Sequence, residues 1–303
     1  MKMNWKSLLL LGSVVFITAN TSAQTNLLNA TSPDEIGVKT AEQLAADNDK
    51  PLAYGYVDDR DMLWSKVTWE YIDLSERLNL PYYYPIHENS TQQGRKSLFA
   101  TLLKGVMDDD LTEVYDDSYF TTKLTKKEIE SKLFRVDTTD AGRDELNADP
   151  NANIEEFITR TELTARDIEG FKIKGVWYVD KRQGEMKYRL LAVAPIAPDV
   201  QTKGRQDVAN VAEKLPIFWV WYPGARQILH DMKVFNPKNS AYPISFDHML
   251  NARRFNAIVY REENVYGNRD VSHYVKGNAL FQVLESDRIR ETIRDKELDL
   301  WNY

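Results

Sequence analysis

Phe171-Lys172-Ile173-Lys174-Gly175-Val176-Trp177-Tyr178-Val179, followed by Met186-Lys187-Tyr188-Arg189-Leu190-Leu191-Ala192-Val193-Ala194-Pro195, is the stretch that decides the fold. Both runs are rich in aromatic and β-branched residues, and the polar break from Asp180 to Gly184 supplies a hairpin loop of about five residues with a glycine in it. Two antiparallel strands are the expectation. A third, central strand is expected at Pro216-Ile217-Phe218-Trp219-Val220-Trp221-Tyr222, which is apolar without alternation, as a strand buried on both faces would be.

Downstream of this sheet the pattern turns helical again. Pro223-Gly224 ends the strand, and a helix is expected through Ala225 to Met232. Ser245 has the hydroxyl to cap a helix running through Met249 and Leu250 towards Arg254. Phe255 to Tyr260 reads as a fourth strand and Asn264 to Gly277 as polar loop. From about Asn278 the spacing predicts a long helix, with Leu280, Val283, Leu284, Ile289 and Ile293 inward and the pairs Glu285/Arg288 and Asp287/Arg290 outward.

Upstream, Leu98, Phe99, Leu102, Leu103 and Val106 recur at helical spacing within Arg95 to Met107. Thr125-Lys126-Lys127-Glu128 has the spacing of a capping box, so a second helix should carry Ile129 and Leu133 on one side. Leu63 to Leu74 has large apolar residues at mixed intervals and reads as helix or mixed structure. Tyr82, Tyr83 and Tyr84 sit between Pro81 and Pro85, where an extended segment is expected, either wedged against a core or offering interface anchors. The Asp-, Asn- and Gly-rich run 137–153 is the expected boundary between a helical region at 61–140 and an α+β domain at 154–303.

The first residues have the form of an export signal: Lys2 and Lys6, an apolar run from Leu8 to Thr18, then Thr21-Ser22-Ala23. Cleavage is expected between Ala23 and Gln24, because the apolar run is about half the length of a spanning helix. Residues 24–60 carry isolated apolar side chains without a period and read as a flexible segment, either a spacer or an arm that orders on a partner. No later stretch reaches membrane length, so no direct membrane span is expected. The chain has no cysteine, which rules out an acylated N-terminal Cys and a disulfide-stapled fold. Its formal net charge is −7, and losing Lys2 and Lys6 with the signal takes it to −9, which argues against nucleic-acid binding.

Chemistry-bearing patterns are sparse. The histidines His87, His230, His248 and His273 are far apart and form no metal-ligand pair, and no phosphate-binding or nucleophile motif is present. The acidic run Asp108-Asp109-Asp110 with Glu113, Asp116 and Asp117 fails the calcium-loop template, which needs glycine at its sixth position and glutamate at its twelfth, where Glu113 and Tyr119 stand. A solvated helix end is the simpler reading. No catalytic residue, metal ligand or cofactor site is therefore expected. Aromatic content is the distinctive feature, with 7 Trp and 16 Tyr, residues that suit cores, protein interfaces and carbohydrate platforms alike. The residues alone thus leave open an exported carbohydrate-binding protein or hydrolase beside an interaction protein.

Several short motifs in order resemble a known family. They are Ile72-Asp73-Leu74 to Leu78-Asn79 with Tyr83-Tyr84-Pro85, Gly94-Arg95-Lys96-Ser97-Leu98-Phe99, Ile196-Ala197-Pro198, Trp221-Tyr222-Pro223, Val234-Phe235-Asn236-Pro237, Arg253-Arg254-Phe255, Asn264-Val265-Tyr266 and the terminal Asp299-Leu300-Trp301-Asn302-Tyr303. Together they look like the gliding-motility family GldN, called PorN in non-gliding relatives, over the chain from about Trp64 to Tyr303. The resemblance implies a periplasmic structural subunit of the type IX secretion machinery. It also implies a ring with a GldK/PorK-like outer-membrane lipoprotein, contact with a GldL/GldM-like (GldM/PorM) motor, and no catalytic residues. Candidate partner-interface residues are Tyr82, Tyr83 and Tyr84, with Leu300, Trp301 and Tyr303, the apolar cluster at the chain end. The fold expected is α+β, an N-terminal helical region followed by a mainly antiparallel sheet with interleaved helices.

Overall fold

The computed structural model describes residues 41–42, 49–87, 95–139, 141–143, 147, 157–203, 214–236, 238–239 and 243–300. The expected cleavage point at Ala23 and Gln24, and the terminal Trp301 and Tyr303, lie outside these residues. The chain has two compact units, Met1–Asp49 with Pro237–Pro243, and Lys50–Asn236 with Ile244–Tyr303. In the first, residues 41–42 are helical. The helices and strands that follow belong to the second.

In chain order its elements are β1 (Met62–Asp73), α1 (Leu80–Tyr83), α2 (Leu98–Met107), β2 (Val114–Tyr115), α3 (Lys126–Leu133), β3 (Phe134–Thr138), β4 (Ile158–Glu162), β5 (Gly170–Asp180) and β6 (Glu185–Pro198). There follow β7 (Lys214–Pro216), β8 (Trp219–Trp221), α4 (Tyr222–Asp231), β9 (Lys233–Val234), β10 (Ile244–Ser245), α5 (Phe246–Asn251), β11 (Ile258–Glu262), α6 (Val271–Tyr274) and α7 (Ala279–Asp299). The main sheet has the order β11-β1-β5-β6-β8-β2, with β7 also on β6, and its pairs are antiparallel. The fold is α+β.

The expected hairpin is the centre of that sheet. β5 and β6 pair from Gly170/Ile196 to Asp180/Glu185, and Gly184 closes the turn at φ 65°, the left-handed region where glycine carries no Cβ penalty. The register slips between Lys174 and Gly175, a bulge that bends β6. Gly175 is required there, because a Cβ would stand 2.1 Å from the Tyr188 hydroxyl, whose ring crosses over it to meet Trp177.

Five expectations are corrected. Leu63 to Leu74, read as helix or mixed, is strand: β1 pairs with β5 along its whole length, since Val67, Thr68, Trp69, Tyr71 and Ile72 have the branched and aromatic side chains that a pleated surface accommodates. With β1 inside the sheet, 61–140 is not a separate helical region. The polar run 137–153 is no boundary either, because β3 and β4 on its two sides pair with each other. The third strand is short and lies beside the sheet edge rather than at its centre, because Pro223 fits the first turn of a helix and α4 starts at Tyr222. Finally, part of the segment 24–60 expected to be flexible is held: the protein fixes residues 50–57 by hydrogen bonds described below.

Both faces of the sheet are covered. On one, Ile72, Phe171, Ile173, Leu190 and Val193 pack with Leu98, Leu102 and Val106 of α2 and with Leu229, Phe246 and Leu250 of α4 and α5. On the other, Trp69, Ala192, Ala194 and Trp219 form a smaller cluster with Tyr115, Phe120 and Tyr260 around it. This explains why β6 is apolar at consecutive positions. The sheet ends are short: β2 has two residues and is followed by a Tyr115/Lys123 bridge, and β11 has five and is followed by an Arg261/Asp270 bridge.

Two buried ion pairs tie the layers. Glu70 on β1 is 1% exposed and accepts from Arg253 Nη2 at 2.7 Å, and the Thr68 hydroxyl donates to its other oxygen. The Arg253 guanidinium lies 5.0, 4.2 and 5.0 Å from the ring centres of Trp177, Tyr188 and Phe255. Asp247 on α5 takes a two-pronged pair from Arg226 at 2.9 and 3.1 Å and a 2.7 Å bond from the Tyr222 hydroxyl. Helix caps follow the sequence. Ser97, Thr125 and Ser245 each accept from a first-turn N–H, and the Thr125/Glu128 box is reciprocal. Thr125→Ala should cost about 1 kcal/mol, measurable by urea unfolding.

Candidate partner interface

The long C-terminal helix α7 begins where expected, with the Asn278 side chain accepting from the N–H groups of Leu280 and Phe281. Its anchoring face differs from the expected one. Gln282 donates to the Val275 carbonyl at 2.9 Å, Ser286 accepts from the Val259 N–H of β11 at 2.8 Å, and Ile289 packs with Val259 and Val271. Together with buried Ile293, these positions recur at helical spacing and define one side of the helix.

Leu280, Val283 and Leu284, expected inward, are outward. With Phe281 they are 41% to 65% exposed. At 3.6 residues per turn the four span an arc of about 160°, centred nearly opposite the Gln282/Ser286/Ile289/Ile293 side. The physical reason is that the helix has two apolar sides and the body covers only one. Ser286, a small polar residue, takes the place against β11 because its hydroxyl satisfies a strand N–H there. Leu298, one face with Leu280 by the same count, is exposed too, beyond a charged middle section.

The flank of this arc is polar and ionised. Arg288 donates to Glu285 and holds its carboxyl below the usual range, and the Tyr274 hydroxyl, 3.1 Å from Glu285, is pushed up to about 12 by burial and by that carboxylate. The Asp287/Arg290 pair also forms, at 3.4 Å.

The tyrosine triplet divides. Pro81 sits in the first turn of α1, so the segment is a helical turn rather than extended. Tyr82 is 1% exposed, stacked on Phe246 and edge-on to Phe255, and it is core rather than interface. Tyr83 is half-buried and donates to the Arg166 carbonyl, while Tyr84 is exposed and meets Tyr83 edge to face at 5.0 Å. Leu300 is half-buried just past α7. The acidic run around Asp108 forms pairs with lysines: Lys104/Asp108, Lys123/Glu113 and Lys132/Asp116. Among the described residues no group of three or more His, Asp or Glu side chains could hold a metal ion, and no helix is long and apolar enough to cross a membrane.

Residues 57–302 match the model of the gliding-motility-associated protein family GldN. The chain belongs to the GldN family. No curated protein matches it. As a GldN-family chain it is a component of the gliding-motility and type IX secretion machinery, from a family of structural components that is not a known enzyme family. The match takes in all of α7, so the outward apolar arc belongs to the GldN region, whereas the segment 50–56 precedes it.

Proposed function

We propose that this chain is a periplasmic structural subunit of the type IX secretion and gliding machinery. In this reading it is exported with cleavage between Ala23 and Gln24, and forms an outer-membrane-associated ring with a GldK/PorK-like lipoprotein. It contacts a GldM/PorM-like motor and performs no catalysis. The observation that carries the reading is the arc of Leu280, Phe281, Val283 and Leu284. Large apolar side chains grouped on a helix whose other side is already packed are the composition of an interface core. Tyr84, Leu300, Trp301 and Tyr303 are proposed as further contacts, with Tyr83 beneath Tyr84 as its support.

Site-specific photo-crosslinking tests this in cells. A crosslinking residue at position 281 should capture the lipoprotein, and the captured chain should begin at Gln24 and fractionate with the outer membrane. The same residue at position 289 should capture nothing but the chain itself. Capture of the lipoprotein from 289 and not from 281, or recovery of the chain in the cytoplasm, would refute the reading.

A further inference from the structure

Residues 50–57 lie on the body as an arm that belongs to no helix or strand. Pro51, Tyr54 and Val57 are half-buried and the residues between them are exposed, an inward contact every third position, as in a polyproline-type extended chain. The large side chains of Leu52 and Tyr56 point to solvent, 80% and 79% exposed.

What holds the arm is a row of arginines acting on its main chain. Arg226 donates to the Leu52 carbonyl at 2.6 Å, Arg189 to that of Gly55 at 2.9 Å and Arg182 to that of Tyr56 at 2.6 Å. A main-chain carbonyl is the same on every residue, so these bonds recognise an extended backbone and not a sequence. One side chain adds selectivity. The Tyr54 ring lies 4.1 Å from the Arg226 guanidinium and 4.7 Å from that of Arg189, and its hydroxyl donates to Asn251 at 2.8 Å. Burial pushes that hydroxyl up to about 12, so it stays a donor.

The side chains of the seat also have partners in the body. Arg226 is fixed by Asp247, and Asn251 by the Asp247 carboxylate and the Tyr222 hydroxyl. Arg189 lies over the Tyr178 ring, and Arg182 pairs with Asp61. A row of donors positioned by the body, taking a segment held through its carbonyls and one ring, has the properties of a peptide site.

We propose that this arginine row is a binding site for an extended, tyrosine-bearing peptide, filled in cis by residues 50–57 and open to the same segment of a second copy when that arm is withdrawn. Full-length native chain and full-length Tyr54→Ala are titrated into a fluorescent peptide of residues 50–58, read by anisotropy. Tyr54→Ala leaves the arm only its carbonyl bonds, so it competes less well, and this chain should bind the peptide at least ten-fold more tightly than the native chain. A peptide with alanine in place of its Tyr54 should bind at least ten-fold more weakly, and adding Arg189→Ala to the Tyr54→Ala chain should weaken binding again. Equal binding by native and Tyr54→Ala chains, no binding by either, or indifference to the peptide's tyrosine would overturn the proposal. So would a Tyr54→Ala chain that has lost its fold by circular dichroism, because the arm would then be part of the core.

Discussion

Arg253→Ala should destabilise the protein by about 3–5 kcal/mol, because it leaves the Glu70 carboxylate inside the sheet without its cation. For a unit of this size that is a fall of about 10 °C in Tm. The loss includes more than the ion pair. The guanidinium is also enclosed by Trp177, Tyr188 and Phe255, so truncation removes contacts with three rings at once. A second substitution separates the two contributions. Glu70→Gln added to Arg253→Ala removes the stranded charge and should recover a large part of the deficit, while the loss due to the rings persists. If Arg253→Ala melted within 2 °C of the native chain, the pair would have to be no more than a surface contact.

Phe281→Asp combined with Leu284→Asp should weaken association with the proposed lipoprotein partner by roughly 1000-fold, as about 2 kcal/mol from each of two interface anchors would. Both side chains face solvent in the isolated chain, so the Tm of the double variant should stay close to native. Ile289→Asp is the counterpart: it buries a charge against Val259 and Val271 and should unfold the C-terminal layer. Co-purification from envelope fractions reads the first effect and thermal melting the second. Undiminished co-purification of the double variant would place the interface elsewhere, with Tyr84 and the residues after Asp299 the next to test.

The hairpin was legible because its two strands and its glycine-bearing turn are local, and so were the caps, where one hydroxyl at one position does the work. β1 was not legible, since its apolar spacing fits no single period: the strand is covered on both faces, and only its partners β5 and β11, far along the chain, reveal that. The outward side of α7 has a signal in the sequence. Leu280 and Leu284 stand on the opposite side of a helix from Ile289 and Ile293, so one inward face could never have contained all four. Tyr82 and Tyr84 show the converse limit, since identical side chains two residues apart have opposite fates and only the position of Phe246 and Phe255 decides between them. The arm at 50–57 is illegible because, Tyr54 apart, its anchors are main-chain carbonyls, which no side-chain pattern can announce.

The closing bridges at the two ends of the main sheet bear on life in a crowded assembly. Strand ends that offer free N–H and C=O groups invite zippering, and the hazard grows when many identical chains are held side by side. Here Lys123 bridges to Tyr115 of β2 and Asp270 to Arg261 of β11, and β2 itself has only two residues to offer. Copies brought to high local density can therefore meet through helix faces, side chains or an exchanged arm without the two ends of the main sheet zippering together.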